Sequence, residues 1–351
     1  MVDQSVVLRE IMSQPEVWSA TWQQLEGSRD RLAELLASQC WDAILFTGCG
    51  STHYLALAAA ALHEQMTGER ARGLPASEIA LFPATVYPDV AAPILLIAIS
   101  RSGETTETLW AVDRHHEHQQ PVLGLTCRTD SALARRSDLA LVIAEADEES
   151  VAQTRAFTSL YIAAQYTSGL LAGDEPFLDV LSHLPARLEA VLQRHSEFIA
   201  QAAAGDWQRV IFLGSGPYYG LACEAMLKLK EMALSWSEAY HFLEFRHGPI
   251  SLVDEHTLVI GLISDTAEDA ERAVLADVRR LGGRTLAIAD TPGAAADETY
   301  AVGLGSGMNE RARAALHLPL LQLFAFHRAR TRGLDPDRPR HLQQAVVLER
   351  R

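Results

Sequence analysis

The sequence predicts an α/β protein made of two tandem doubly wound parallel-sheet domains, and three observations carry that reading. Short, nearly continuous apolar strands such as AILF, ILLIAI, VIFL and LVIGLI alternate with longer helical periods, the pattern of parallel strands buried on both faces. A Gly-x-Gly turn follows the first strand of each half: Gly48 and Gly50 in ILFTGCGSTHYLALAAA recur as Gly214 and Gly216 in VIFLGSGPYYGLACEAM, 166 residues on. The next strand and loop repeat as well, ILLIAISRSGETTE answering LVIGLISDTAEDAE at an offset of 164. Each half therefore reads strand, glycine turn, helix, strand, polar loop, helix, strand.

In chain order, residues 1–39 form a helical lead-in, with Pro15 opening a helix. Residues 40–181 make the first domain, and 182–207 (SHLPARLEAVLQRHSEFIAQAAAGDW) a linking helix. Residues 208–335 make the second domain and 336–351 a carboxyl-terminal tail. With 351 residues, 48% hydrophobic and 21% charged, the chain can bury such cores and is not disordered.

Composition also narrows the partners. No apolar run reaches about 18 residues and the amino terminus lacks a charged-then-apolar signal, so no membrane association and a cytoplasmic location are expected. A formal net charge of -15, with no basic stripe, disfavours nucleic acid and requires any anionic ligand to be held locally. Cys40, Cys49, Cys127 and Cys223 lack C-x-x-C spacing and are expected to be buried small hydrophobes. His115, His116 and His118 are expected at the exposed end of a helix, without a metal.

The repeated loops differ in chemistry. In the first half Ser100, Ser102, Thr105, Thr106 and Thr108 crowd around Gly103 between a strand end and a helix start, where hydroxyls, amides and the helix dipole favour a phosphate. In the second half Asp265, Glu268 and Asp269 stand in the matching loop and would repel one, so a single phosphate site is expected, in the first domain. The third glycine of a dinucleotide fingerprint is replaced by His53 and Tyr219, and no Gly-Lys-Ser/Thr occurs. Taken residue by residue, simple helix capping by the hydroxyls, a structural role for His247 and a surface role for Glu231 remain open.

The segments TGCGST, ISRSGETTET, SVAQTRAFTS, LGSGPYYGLACEAMLKLKEMA, SEAYHFLEFRHGP and DPDRPRHLQQAVVLE together resemble the sugar-isomerase (SIS) domain family. Within it, the chain resembles the tandem-domain isomerase half of glucosamine-6-phosphate synthase and its stand-alone relatives, the sugar-phosphate deaminases, deglycases and isomerases. The resemblance implies two three-layer αβα, flavodoxin-like SIS domains. It implies phosphate binding by Ser100, Arg101 through its backbone, Ser102 and Thr105, with Ser51, Thr52, Gln153 and Gln344 on the substrate. It makes Glu231 the base that moves a proton between C1 and C2, Lys228 its neighbour, and His247 a ring-opening acid/base supplied by the neighbouring subunit of a homodimer.

Two departures shape the expected chemistry. No glutaminase domain fits ahead of residue 40, so no ammonia drawn from glutamine is expected, and Gln344 stands where the synthase carries a Schiff-base lysine. What is left is an isomerising deaminase or deglycase acting on an aminated hexose 6-phosphate, with glucosamine 6-phosphate the first candidate. The alternatives are a plain aldose–ketose isomerase and, in another class, a non-catalytic phosphosugar-binding regulator. None of these requires a metal or redox cofactor.

Overall fold

Residues 4–87, 92–292 and 299–348 are described by a computed structural model. Ten strands occur among these residues. The first five are β1 (Ala43–Gly48), β2 (Ala71–Pro75), β3 (Ile94–Ile99), β4 (Val122–Thr126) and β5 (Leu139–Val142). The second five are β6 (Arg209–Leu213), β7 (Trp236–Tyr240), β8 (Thr257–Leu262), β9 (Arg284–Ala289) and β10 (Tyr300–Gly303). One sheet has the order β2-β1-β3-β4-β5; the other, read from its β7 edge, is β7-β6-β8-β9-β10. Every pairing is parallel. The two sheets are thus topologically identical flavodoxin-like sheets. Each has a switch point, between β1 and β3 or between β6 and β8, where the chain direction across the sheet reverses and a crevice opens at the strand ends.

Strand composition explains why these segments sit centrally. All six residues of β3 and all six of β8 are buried, as apolar strands covered on both faces must be. In the first domain, Leu45, Leu96, Ala98 and Val122 pack with Ile79, Ala111, Val112 and Leu133 from the covering helices. In the second domain, Ile211, Leu213, Val259 and Ala287 pack with Phe242, Phe245, Val274, Leu275 and Val278.

The chain divides into two compact units whose limits interleave in sequence. One joins the residues up to Gln14 with Leu184–Leu342, and the other joins Pro15–His183 with the residues from Gln343 onward. In the first of these units the Asp337 carboxylate accepts from the Ser5 hydroxyl (2.8 Å) and the amides of Val6 (3.0 Å) and Val7 (2.9 Å), which fastens the opening helix Val6–Met12. In the other unit the Trp18 indole donates to Thr158 (2.9 Å) and the Tyr166 hydroxyl to Glu26 (2.6 Å), which anchors the helix Gln14–Gly27. A separate helix, Glu175–Ser182, precedes the helix Leu184–Ala203.

Two local expectations fail. His115 is fully buried rather than exposed, because Thr108, Ala111, Val112 and His115 form the inward stripe of the helix Thr106–Glu117. Its ring meets the Tyr87 hydroxyl (2.9 Å) and the Pro121 carbonyl (3.2 Å). Only Cys127 and Cys223 are buried; Cys40 is exposed, and Cys49, in the glycine turn after β1, is half-buried against the edge of the first domain's core. Among the described residues, no helix is long and apolar enough to cross a membrane. No cluster of three His, Cys, Asp or Glu suited to a metal occurs among them either.

Candidate active site

The first domain's switch point is built from its glycine turn and its hydroxyl loop. A Cβ on Gly48 would lie 2.4 Å from the Thr52 hydroxyl and 2.7 Å from the Thr52 carbonyl carbon, so only glycine lets the helix Ser51–Thr67 approach β1 this closely. Gly214 is constrained the same way, its Cβ position lying 2.3 Å from the Tyr218 carbonyl oxygen. The hydroxyl of Thr52 accepts from the Cys49 amide (2.9 Å) and donates to the Cys49 carbonyl (3.0 Å), so it holds the turn closed. Ser51 is buried beside it.

Beyond β3, Ser100, Arg101 and Ser102 are all buried. The Ser100 hydroxyl accepts from the Gly103 amide (3.1 Å) and shares a hydrogen bond with the Thr105 hydroxyl (3.2 Å). The Ser102 hydroxyl accepts from the Glu104 amide (3.2 Å). Thr105 occupies the N-cap of the helix Thr106–Glu117, yet its side chain caps none of the helix amides. The first turn therefore keeps its positive dipole end uncompensated by a capping side chain, next to three clustered hydroxyls.

The Arg101 side chain turns away from this loop and into the protein. Its guanidinium donates to Glu148 Oε1 (3.1 Å), the Ser150 carbonyl (2.9 Å), the Val151 carbonyl (3.1 Å) and the Gln344 carbonyl (2.8 Å). Glu148 is held in turn by the amide (3.0 Å) and hydroxyl (3.0 Å) of Thr154. The Gln344 side chain donates to the Glu149 carbonyl (2.8 Å) and accepts from Arg128 (3.4 Å). Gln153 is half-buried, and its Oε1 is enclosed without a hydrogen-bond partner.

In the second domain the helix Pro217–Ala233 carries Glu224, Lys228 and Glu231 at spacings of four and three, which places them on one face. Lys228 is fully buried, a position an ammonium occupies only with anionic partners. Its Nζ lies 3.4 Å from Glu224 Oε1 and is ion-paired to Glu231, which is partly exposed. Glu224 escaped the sequence reading although its spacing from Lys228 was visible. A cavity of about 380 Å³ borders this helix end, lined by Lys230, Leu234, Ser235, Trp236, Ser237 and Glu238. Neither Lys228 nor Glu231 lines it.

His247 stands elsewhere in the same domain. It follows the short helix Phe242–Phe245 in an exposed corner, where Arg246 donates to Asp277 (2.6 Å). Phe242 and Phe245 share a core layer with Val274, Leu275 and Val278, a layer to which the helix Pro217–Ala233 contributes nothing. Right-handed crossovers from a switch point put the two connections on opposite faces of the sheet. The second sheet thus stands between the Glu231 helix and the His247 corner of one chain.

The second domain's counterpart of the hydroxyl loop is already filled by protein groups. The Glu310 carboxylate accepts from the amides of Asp265 (2.7 Å) and Thr266 (3.0 Å) and from the Thr266 hydroxyl (2.6 Å). Asp265 itself is paired with the buried Arg313 (2.7 Å). Acidic residues in this loop were expected to keep phosphate out, but the carboxylate that occupies its amides comes from outside the loop.

Two copies of one doubly wound sheet, of which the first keeps a loop of clustered hydroxyls at its switch point, define a duplicated α/β protein. The chain belongs to the SIS domain family, which it matches over residues 39–167 and 205–328. It is 31% identical over 364 residues to the isomerizing glutamine–fructose-6-phosphate aminotransferase of Pseudomonas aeruginosa, aligned over 98% of this chain and 59% of that protein. The corresponding protein of Bordetella parapertussis is 30% identical over 358 residues, aligned over 97% and 58%. The chain therefore spans less than three-fifths of the length of these relatives. Among solved structures, glucosamine-6-phosphate deaminase from Thermotoga maritima matches with a TM-score of 0.80 at 29% identity, covering 98% of this chain and 100% of that one. Tagatose-6-phosphate ketose/aldose isomerase from Escherichia coli matches with a TM-score of 0.85 at 26% identity, covering 99% and 97%.

Proposed function

We propose that this protein is a phosphosugar isomerase of the deaminating kind, acting on an open-chain aminohexose 6-phosphate, with glucosamine 6-phosphate the first substrate to test. The observation that carries the reading is the loop Ser100–Thr105, buried at Ser100 to Ser102, whose clustered hydroxyls adjoin a helix start that no side chain caps. The relatives named above are described as acting on hexose 6-phosphates, which supports the same substrate class.

In this proposal the hydroxyls of Ser100, Ser102 and Thr105 and the backbone at Arg101 hold the phosphate. Ser51 and Gln153 serve the sugar, the unpartnered Gln153 Oε1 being suited to accept from a sugar hydroxyl. Thr52 acts through the turn that its hydroxyl closes. Gln344 acts through the loop segment that it binds. Glu231 removes the proton from C2 and returns it to C1 through an enolamine, while Lys228 balances the paired carboxylates. The resulting C2 imine is hydrolysed by water, which releases ammonia and a ketose 6-phosphate. With a hydroxyl at C2 the same proton shift gives aldose–ketose isomerisation. A positioned base contributes about 10²–10⁴-fold, and orientation with oxyanion stabilisation must supply the rest.

The test is a panel of hexose and aminohexose 6-phosphates, assayed for ammonia release and for ketose formation. Glu231→Gln should lower solvent deuterium exchange at C1 or C2 by about two decades or more. Near-normal exchange would remove Glu231 from the role of base.

The proposal includes a homodimer in which His247 opens the sugar ring in the partner's site. Its placement across the sheet from the Glu231 helix supports this. Subunit exchange between His247→Ala and Glu231→Gln proteins should then restore roughly a quarter of wild-type activity, because half the dimers are mixed and each holds one intact site. Confirmed exchange without recovery would assign His247 to its own chain.

A further inference from the structure

We infer that Arg101 is a positioning residue that fastens the carboxyl-terminal segment Gln343–Leu348 across the Ser100–Thr105 loop, so that tail docking and phosphate binding are coupled; the coupling, though not the fastening, rests on the phosphate site proposed above. The segment is attached at both ends of the loop. At one end the Arg101 guanidinium donates to the Gln344 carbonyl (2.8 Å). At the other, the amide of Thr106 donates to the Val346 carbonyl (3.2 Å) and the Leu348 amide donates to the Thr106 hydroxyl (2.9 Å). Ser102 to Thr105 lie between these attachments.

Apolar burial does not hold the segment down. Val346, Val347 and Leu348 are 51%, 69% and 43% exposed, so polar contacts supply most of its attachment. Arg101 is the natural centre of those contacts because its charge is buried, 3% exposed, and must have its donors met. Three of its acceptors, Glu148 Oε1 and the carbonyls of Ser150 and Val151, belong to the segment that Thr154 anchors. The fourth comes from the tail. A tail that leaves takes an acceptor from a buried guanidinium, and a guanidinium that is removed leaves the tail without its strongest anchor.

The experiment uses the full chain, Arg101→Gln, a variant ending at Leu342, and the two changes combined. Hydrogen exchange read by mass spectrometry on peptides covering 343–348 should rise in Arg101→Gln, while peptides from β3 and β4 keep wild-type protection. Unchanged exchange in the tail overturns the inference whatever the substrate proves to be.

Titration with glucose 6-phosphate tests the coupling. Arg101→Gln and the shortened chain should each bind about tenfold more weakly, the loss of one charge-assisted hydrogen bond, and the combined variant no more weakly than either. Additive losses would mean that Arg101 acts independently of the tail. Should Arg101→Gln not fold, the shortened chain keeps the Arg101–Glu148 pair and decides alone: exchange in residues 148–151 should rise, and unchanged exchange there overturns the inference. If the wild-type chain binds no sugar phosphate while Arg101→Gln frees the tail, the phosphate site and the coupling fail, and the fastening stands.

Discussion

The two domains share strand order, parallel register and a glycine turn with the same steric requirement, yet the charges carried by the loop after the switch-point strand are of opposite sign. Arg101, in the first domain's loop, is bound to Glu148; Asp265, in the second domain's loop, is bound to Arg313. In the first domain the Thr105 hydroxyl bonds to Ser100 and caps no helix amide, and the Thr106 amide is met by the Val346 carbonyl. In the second, Glu310 occupies the loop amides with a carboxylate of the protein's own. The difference separates what a duplicated fold must keep from what it is free to change. Gly48 and Gly214 are kept because a Cβ at either would strike the next helix, whereas the loop needs only to satisfy its amides, and either a ligand anion or an internal carboxylate can do so.

The largest test of this contrast places the same charge in both loops. Ser102→Asp should weaken sugar-phosphate binding by about a hundredfold or more, since like charges brought together cost several kcal/mol. Thr266→Asp, in the second domain's loop, should leave that binding unchanged. Calorimetric titration checks both, and equal losses would erase the distinction between the domains.

A smaller effect is expected from opening the filled loop. Glu310→Ala removes the acceptor of two amides and one hydroxyl and should cost about 1–3 kcal/mol, read as a lower denaturant midpoint. Added sulfate should recover part of that loss if the freed amides then form an anion site. Sulfate acting equally on the wild-type chain would argue against such a site.

The smallest effect concerns pH. Burial lowers His63 and His115 in the first domain, and His317 in the second, to about 4. The unfolded chain titrates these groups near 6.5, so between about 6.5 and 4 it binds protons that the folded domains refuse, and stability falls as pH drops through that window. Burial lowers His53 in the first domain and His195 and His241 in the second as well, so both domains should lose stability across this window. Domain-resolved hydrogen exchange across this range measures the two slopes, and a domain whose stability holds constant as pH falls would contradict the expectation.

Part of the candidate site follows local rules that a sequence displays. Glu224, Lys228 and Glu231 share a helix face by spacing alone, and the hydroxyls of ISRSGETTET stand where a strand meets a helix. His115 was readable in principle from the stripe Thr108, Ala111, Val112 and His115, but a run of histidines beside Glu117 looks like a solvated helix end unless that stripe is counted. Arg101 could be placed at the loop, though not assigned its partners, because a guanidinium at a strand end is as consistent with reaching a phosphate as with turning inward.

By itself the sequence determined the class of fold, the duplication, and which domain carries the hydroxyl loop, since apolar period, glycine spacing and side-chain chemistry are properties of neighbouring residues. Only the tertiary structure decided what those neighbours meet. The tail returns to Arg101 from 243 residues away, and Glu310 reaches the second loop from 45. Such contacts leave no period in the chain. They exist because folding buries amides and charges that must be satisfied by whatever donors and acceptors the fold brings within reach.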